Sequence, residues 1–271
     1  MNTAASGWLQ PDWPAPPRVR ALFTTRGASA DDGASAPPRD WFNLGDHVGD
    51  APAAVAANRA RLAAALGARP VFMSQVHGHD VLVLAPGVPD GATADAAVST
   101  APGLACTVMV ADCLPVLITD TAGRAVAAAH AGWRGLAGGV LEQALASFEA
   151  CAQAGRAQLA IKTEANELIA WLGPCIGPRA FEVGPEVRAA FVDADGGAAG
   201  CFAPQPGGKY LADLPALARR RLAAGGVTRV FGNDGSDDWC TVRQPARYFS
   251  YRRDQVAHGG TGRMAACIWL A

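Results

Sequence analysis

The chain has 271 residues, half of them hydrophobic and 17% charged, with 23 Lys and Arg against 24 Asp and Glu. That length suits one large domain with a substantial buried core. A formal charge of −1 gives no electrostatic footprint for a nucleic-acid backbone, and no apolar run reaches the roughly 18 residues of a transmembrane helix.

The first segment carries Trp8, Trp13, Pro14, Pro16 and Pro17 and lacks the apolar centre of a signal peptide. Val19–Thr25 reads as a strand, and 28–40, rich in Gly, Pro, Asp and Ser, as a loop. Asp50 is expected to cap a helix over Ala53–Leu66 that stops at Gly67. Pro70–His77 and Val81–Leu84 read as a strand pair turning at Gly78-His79-Asp80. Ala94–Ser99, Leu104–Val110, Val116–Asp120 and Ala125–Ala129 are four further short strands. A helix is expected from Leu136 to Ala154, ending near Gly155, and Glu167–Leu172 returns to strand. Pro185–Val192 and Asp213–Ala224 are helices with Pro or Asp starts and Gly-containing ends; Arg229–Phe231, Tyr248–Tyr251 and Met264–Leu270 close the sheets. This irregular alternation, with short connections that suit hairpins, favours an α+β fold of mixed β-sheets with helices outside over a regular parallel barrel. A single domain over residues 1–271 is expected.

Seven cysteines, at 106, 113, 151, 175, 201, 240 and 267, are an odd set in which no two stand three apart. That spacing excludes a CxxC redox pair or a zinc ribbon. Free thiols in a reducing cytoplasm, with no disulfide, are the expectation. The chain has no GxGxxG, no GxxxxGK[ST] and no GxSxG, which removes the main support for dinucleotide-binding, P-loop and α/β-hydrolase readings.

Three residues stand out, each after an apolar run: His77 in Ser74-Gln75-Val76-His77-Gly78, Cys113 in Ala111-Asp112-Cys113-Leu114-Pro115, and His130 in His130-Ala131-Gly132-Trp133-Arg134-Gly135. Two imidazoles and a thiolate make a good first shell for zinc, and three protein ligands leave a position open for water or substrate. The separations of 36 and 17 residues are those of ligands from separate strand ends, not of a compact zinc finger. Glycines beside His77 and after His130 let backbone bend closely around a site. Asp112 reads either as a carboxylate partner that orients a ligating imidazole or as a turn or cap acceptor.

SQVHG, ADCLP and HAGWRG, in this order, resemble the signature of the YfiH/PgeF family, once called the laccase-domain or polyphenol oxidase family. The likeness extends to Phe23-Thr24-Thr25-Arg26-Gly27, the loop Asn43–Asp50, Gly173-Pro174-Cys175-Ile176-Gly177, Phe181-Glu182-Val183, Tyr248–Arg253 and Thr261–Met264. The resemblance implies a fold like the catalytic domain of cytotoxic necrotising factor toxins, with zinc on His77, Cys113 and His130. It also implies phosphorolysis of purine nucleosides (adenosine, inosine, S-methyl-5′-thioadenosine), with adenosine deamination alongside. Catalysis would then rest on Cys113, His130 and Asp112, with Glu182 a second acid/base candidate. Arginine's planar fork of donors suits phosphate, so Arg26, Arg134 and Arg263, all near glycines, are the expected anion ligands. By the family pattern His47 is a site-lining candidate, against an exposed loop histidine; Asn43 either contacts substrate or stabilises its turn. Trp133 is read as packing under the His130 loop, His79 and His258 as surface loop residues. The partners implied are a nucleoside and phosphate, with no nucleic acid and no membrane.

Three other functions compete, one of them a non-catalytic binding protein, which would tolerate loss of Cys113. Family members are also linked to removing a wrong amino acid from a nucleotide-linked muramyl peptide, an amide hydrolysis for which Cys113 and His130 offer a nucleophile and base. Copper suits the same donors, but a multicopper oxidase needs more histidine than the five present. Met109, roughly 13 Å from Cys113 along a strand, is too distant for the axial ligand of a blue-copper site.

Overall fold

All seven residues of Leu104–Val110 are buried, yet successive side chains serve different interiors. Cys106, Val108 and Val110 pack on one side and Ala105 and Met109 on the other, as the two-residue period of a strand requires. A strand buried on both faces reads as a continuous apolar run, and four more strands, Ala96–Ser99, Leu114–Asp120, Val126–Ala131 and Met264–Leu270, are likewise buried throughout.

The computed structural model describes residues 2–3, 7–159 and 167–271. In chain order the elements are β1 (Asn2–Thr3), β2 (Leu9–Gln10), β3 (Val19–Phe23), α1 (Pro52–Leu66), β4 (Arg69–Val71), β5 (Val81–Leu84), β6 (Ala96–Ser99), β7 (Leu104–Val110), β8 (Leu114–Asp120) and β9 (Val126–Ala131). There follow α2 (Trp133–Ala137), α3 (Val140–Leu159), β10 (Leu168–Leu172), β11 (Glu182–Val183), α4 (Pro185–Val192), β12 (Phe202–Gln205), β13 (Lys209–Ala212), α5 (Leu214–Ala224), β14 (Arg229–Gly232), α6 (Tyr251–His258) and β15 (Met264–Leu270). One six-stranded sheet runs β1-β2-β3-β15-β7-β4 and a second runs β14-β10-β8-β9-β6-β5; a small third sheet is β11-β13-β12. Both large sheets are mixed, with β4 parallel to β7, β5 to β6 and β14 to β10.

The two large sheets pack face to face. Phe23, Val108 and Ile268 of the first meet Leu117, Ala128 and Trp171 of the second. The outer face of the first sheet is covered by Leu62 and Leu66 of α1, with Phe42 and Phe72. The outer face of the second is covered by α3, α4 and α5, through residues such as Phe148, Phe191 and Leu217. The result is the α+β arrangement of packed mixed sheets with helices outside. Among the described residues no helix is long and apolar enough to cross a membrane, and the seven cysteines are free thiols.

Four local expectations are corrected. Pro70–His77 and Val81–Leu84 do not pair: β4 belongs to the first sheet and β5 to the second, so 72–80 is a crossing between layers. Asp50 does not cap α1, whose N-cap is Ala51 with no side-chain bond; Asp50 instead accepts from Asn43 Nδ2 at 2.8 Å. The helix expected from Leu136 is two helices, because Gly139 takes φ +96°, a conformation that breaks α-helical continuity. The second of them, α3, runs on to Leu159. Tyr248–Tyr251 is no strand. Tyr248 and Phe249 are buried in a turn, and the Ser250 hydroxyl caps α6 by accepting from Arg253 N–H, so His258 ends a helix instead of standing in a loop.

Candidate metal centre

Two ligands sit where the chain passes from one large sheet to the other. His77 lies between β4 and β5, and Cys113 between β7 and β8; His130 stands in β9 of the second sheet. The three side chains therefore meet at one end of the sandwich. Their ligand atoms lie within 4.8 Å of one another, with Cys113 Sγ 3.5 Å from His77 Nε2 and the imidazole centroids 4.8 Å apart. Tetrahedral zinc with bonds of about 2.0–2.3 Å spaces its ligands about 3.3–3.8 Å apart, so the longest pair must close by about 1 Å on loading. His130 is buried, Cys113 half-buried and His77 exposed, which leaves an approach on the His77 side.

The backbone is bent hard here. His77 has φ 60° and Asp112 φ 89°, left-handed values that side chains other than glycine adopt at a cost. Side-chain acceptors hold both turns. Asp95, fully buried, accepts from the backbone N–H of Val76, His77 and Gly78. Asp112 accepts from the Thr241 hydroxyl and, at 2.6 Å, from Arg252 N–H. Gln75 clamps the His77 crossing to β7 through both its amide atoms on Met109. Gly132 makes the close approach possible: a Cβ there would stand 2.8 Å from His77 Cδ2 and 2.9 Å from Cys113 Sγ.

The reading of Asp112 as partner of the ligating imidazole is corrected. Asp95, not Asp112, meets His130 Nδ1, at 2.8 Å. Asp112 serves instead as a turn acceptor, its two oxygens facing the Thr241 hydroxyl and Arg252 N–H. With Nδ1 engaged, His130 keeps Nε2 for a metal.

The electrostatics suit a cation. Burial alone raises the Cys113 thiol, but the charge and hydrogen bonds of His130 and His77 carry it below the ordinary thiol range. Burial lowers His130, and the Cys113 charge with the Asp95 hydrogen bond more than reverses it. Burial raises Asp95, and the hydrogen bond and charge of His130, with backbone N–H groups, hold it below the usual carboxylate range. A thiolate beside two imidazoles is a donor set that fits zinc, and also copper.

A cavity of about 550 Å³ opens over these residues. Of the residues read from sequence, His47, Asp112, Arg134 and Arg263 line it together with the three ligands. Desolvation by burial lowers the Arg263 pKa, with the Cys113 and Asp112 charges working the other way. Burial also lowers His47, helped by the Arg263 charge. Burial raises Asp112 despite its hydrogen bonds from Thr241 and Arg252. Arg134 is exposed and stacks on Trp133, 4.4 Å from the ring centroid.

Three residues are placed elsewhere. Arg26 is bonded to Asp40 at 3.2 Å and to the Pro245 carbonyl at 3.0 Å. Asn43 is fully buried and bonded to Gly45, Asp50 and Arg263 N–H. Glu182 pairs with Lys209 on the surface. The cavity also holds Gln75, Tyr251 and Arg252, which the motif reading did not single out. Gln75 stands two residues before His77, which was the available signal for it; Tyr251 and Arg252 lie inside the recognised stretch Tyr248–Arg253, and that membership was their only signal. Asp95 carried none beyond being a lone acid at the head of an apolar strand.

Among the described residues, one group of three potential ligands lies beneath this cavity at the end of two packed mixed sheets, and it could hold a metal ion. The chain belongs to the family described as multi-copper polyphenol oxidoreductase laccase, whose model matches residues 20–271. It is similar to proteins named purine nucleoside phosphorylase from Pseudomonas aeruginosa, 48% identical with 98% of this chain and 99% of that one covered, and YfiH of Escherichia coli, 49% identical with 97% and 98% covered. Among solved structures, a Neisseria meningitidis protein aligns with TM-score 0.82 at 46% identity, covering 97% of this chain and 98% of that one. YlmD of Geobacillus stearothermophilus aligns with TM-score 0.84 at 28% identity, covering 99% and 98%.

Proposed function

We propose that this chain is a zinc-dependent purine nucleoside phosphorylase acting on adenosine, inosine and S-methyl-5′-thioadenosine, with adenosine deaminase activity at the same site. The observation that carries the reading is the gathering of His77, Cys113 and His130 under a cavity with both apolar and cationic walls. The names of relatives matched over nearly their whole length support the substrate class.

His77, Cys113 and His130 hold the zinc. Zinc bound there supplies Lewis acidity and brings the pKa of water from about 15.7 down towards 7. The walls formed by Met109, Ile176, Phe181 and Leu214 receive the purine, whose flat apolar faces gain by leaving water. Arg263, with His47 beside it, receives the phosphate, because a dianion in a partly buried site needs paired donors. Asp112, which lines the cavity beside Cys113, is the acid/base group for the departing amine in deamination. Seven unbridged cysteines, one of them the ligand Cys113, suit the reducing cytoplasm.

The test is metal analysis of the purified protein followed by inosine with phosphate. Stoichiometric zinc with release of hypoxanthine and ribose 1-phosphate is the expected result. Zinc without phosphorolysis would move the reading to amide hydrolysis of a muramyl peptide. Oxidation of phenols by the copper-loaded protein at enzymic rates would restore the polyphenol oxidase reading.

A further inference from the structure

Asp95 reaches both histidine-bearing segments at once. It lies one residue before β6 with no exposed surface. One carboxylate oxygen accepts from His130 Nδ1 at 2.8 Å and from His77 N–H at 2.9 Å. The other accepts from Val76 N–H at 3.1 Å and Gly78 N–H at 2.7 Å. The backbone adds to this, since His130 N–H donates to the Asp95 carbonyl at 2.7 Å and Asp95 N–H donates to the Asp80 carbonyl at 3.0 Å. A buried carboxylate is stable only when its lone pairs are met by donors, and here all four of those donors belong to the two segments that carry His77 and His130.

We propose that Asp95 is the positioning residue of the metal centre. It holds the Val76–Gly78 turn so that His77, at φ 60°, aims its ring inward. It also fixes the His130 tautomer: a carboxylate only accepts, so Nδ1 carries the hydrogen and Nε2 keeps the ligating lone pair. This inference rests on the metal reading above. An amide at position 95 cannot do both tasks. With its oxygen towards His130, its NH2 meets the donors of Val76 and Gly78. Reversed, its NH2 meets His130 Nδ1 and the N–H of His77, which forces the imidazole hydrogen onto Nε2.

The experiment measures zinc affinity of native protein and Asp95→Asn by competition with a chromophoric chelator. Amide exchange of Val76–Gly78 is followed in both metal-free proteins. Outer-shell partners of this kind are worth about 10–100-fold in metal affinity, and a loss of that size is expected. Faster exchange confined to the 76–78 turn is expected with it, a local signature that general destabilisation does not give. Should the variant fail to fold, nitrogen-15 spectra of the native zinc-loaded protein decide: the hydrogen of His130 is expected on Nδ1, and its presence on Nε2 overturns the proposal. Equal zinc affinity with unchanged exchange overturns it while leaving the proposed function standing. No zinc binding by the native chain overturns both.

Discussion

Replacing Gly132 with alanine separates the metal centre from the fold. Gly132 has φ −62° and ψ 156°, an extended conformation open to any residue, so the backbone itself does not resist the change. The resistance comes from the ligands. The new Cβ would lie 2.8 Å from His77 Cδ2 and 2.9 Å from Cys113 Sγ, and carbon contacts relax to about 3.5 Å or more. Each ligand must therefore retreat by about 0.6–0.7 Å, or the Gly132 backbone must shift by as much. Metal bonds keep their lengths within about 0.2 Å, so displacement on this scale removes good geometry from two ligands of three. Zinc affinity is expected to fall at least about tenfold, or about 1.4 kcal/mol. The metal-free protein loses about 1–3 kcal/mol at most, the usual cost of overpacking. Chelator competition reads the first and denaturant unfolding of the metal-free protein the second. A folded Gly132→Ala protein with native zinc affinity would refute the reasoning, because it would mean the ligands are not held at the spacing described.

Tyr248→Phe is expected to leave stability unchanged or raise it by about 1–2 kcal/mol, since the buried hydroxyl makes no hydrogen bond among the described residues while its ring keeps Phe23 as neighbour; a loss beyond about 1 kcal/mol in denaturant midpoints would show a partner. Burial raises Asp254, but Arg253, Ser250 N–H and the Thr261 hydroxyl hold it below the carboxylate range. A depressed carboxylate stabilises the fold above its ordinary pKa of about 3.9 and loses that stabilisation as pH falls through the lowered value. Asp254→Asn should therefore melt well below the native protein at pH 7 and approach it below about pH 4; a constant gap across that range would contradict the assignment. Arg263→Ala is expected to weaken phosphorolysis of inosine about 10–100-fold, the loss of a charged hydrogen bond worth about 1.5–3 kcal/mol, and to spare adenosine deamination, which uses no phosphate. Arg26→Ala, whose partners are Asp40 and Pro245, should change thermal stability and neither rate, and equal losses in both reactions for Arg263→Ala would place that arginine on the nucleoside.

Which parts of this were legible follows from how far each determinant reaches. The long strands announced themselves because burial on both faces leaves no polar alternation, as in β7 and β15. His77, Cys113 and His130 were legible because metal-binding side chains at the ends of apolar runs are few and chemically distinct. The misreading of 70–84 as a hairpin came from local signals alone: Gly78-His79-Asp80 has turn chemistry, and nothing within that window records that β4 and β5 join different sheets. The third sheet escaped because β11, of two residues, and β12 and β13, of four each, are too short to show a period. Asp95 escaped because its work is entirely long-range, 35 residues from His130. Arg26 and Asn43 sat in motif-like stretches, yet Asn43 is taken up by its own turn and Arg26 by Asp40 and the Pro245 carbonyl.

The two layer crossings also make the site depend on the closure of the sheets. His77 and Cys113 are carried by segments that exist as such only when β4 and β7 have joined one sheet and β5 and β8 the other. Their meeting with His130 presupposes that the sheets have already closed on Phe23, Val108, Leu117 and Trp171. A zinc finger folds around its ion because it has no core without it. Here the core is built without an ion, so a metal taken by His77, Cys113 and His130 would join a scaffold that stands without it.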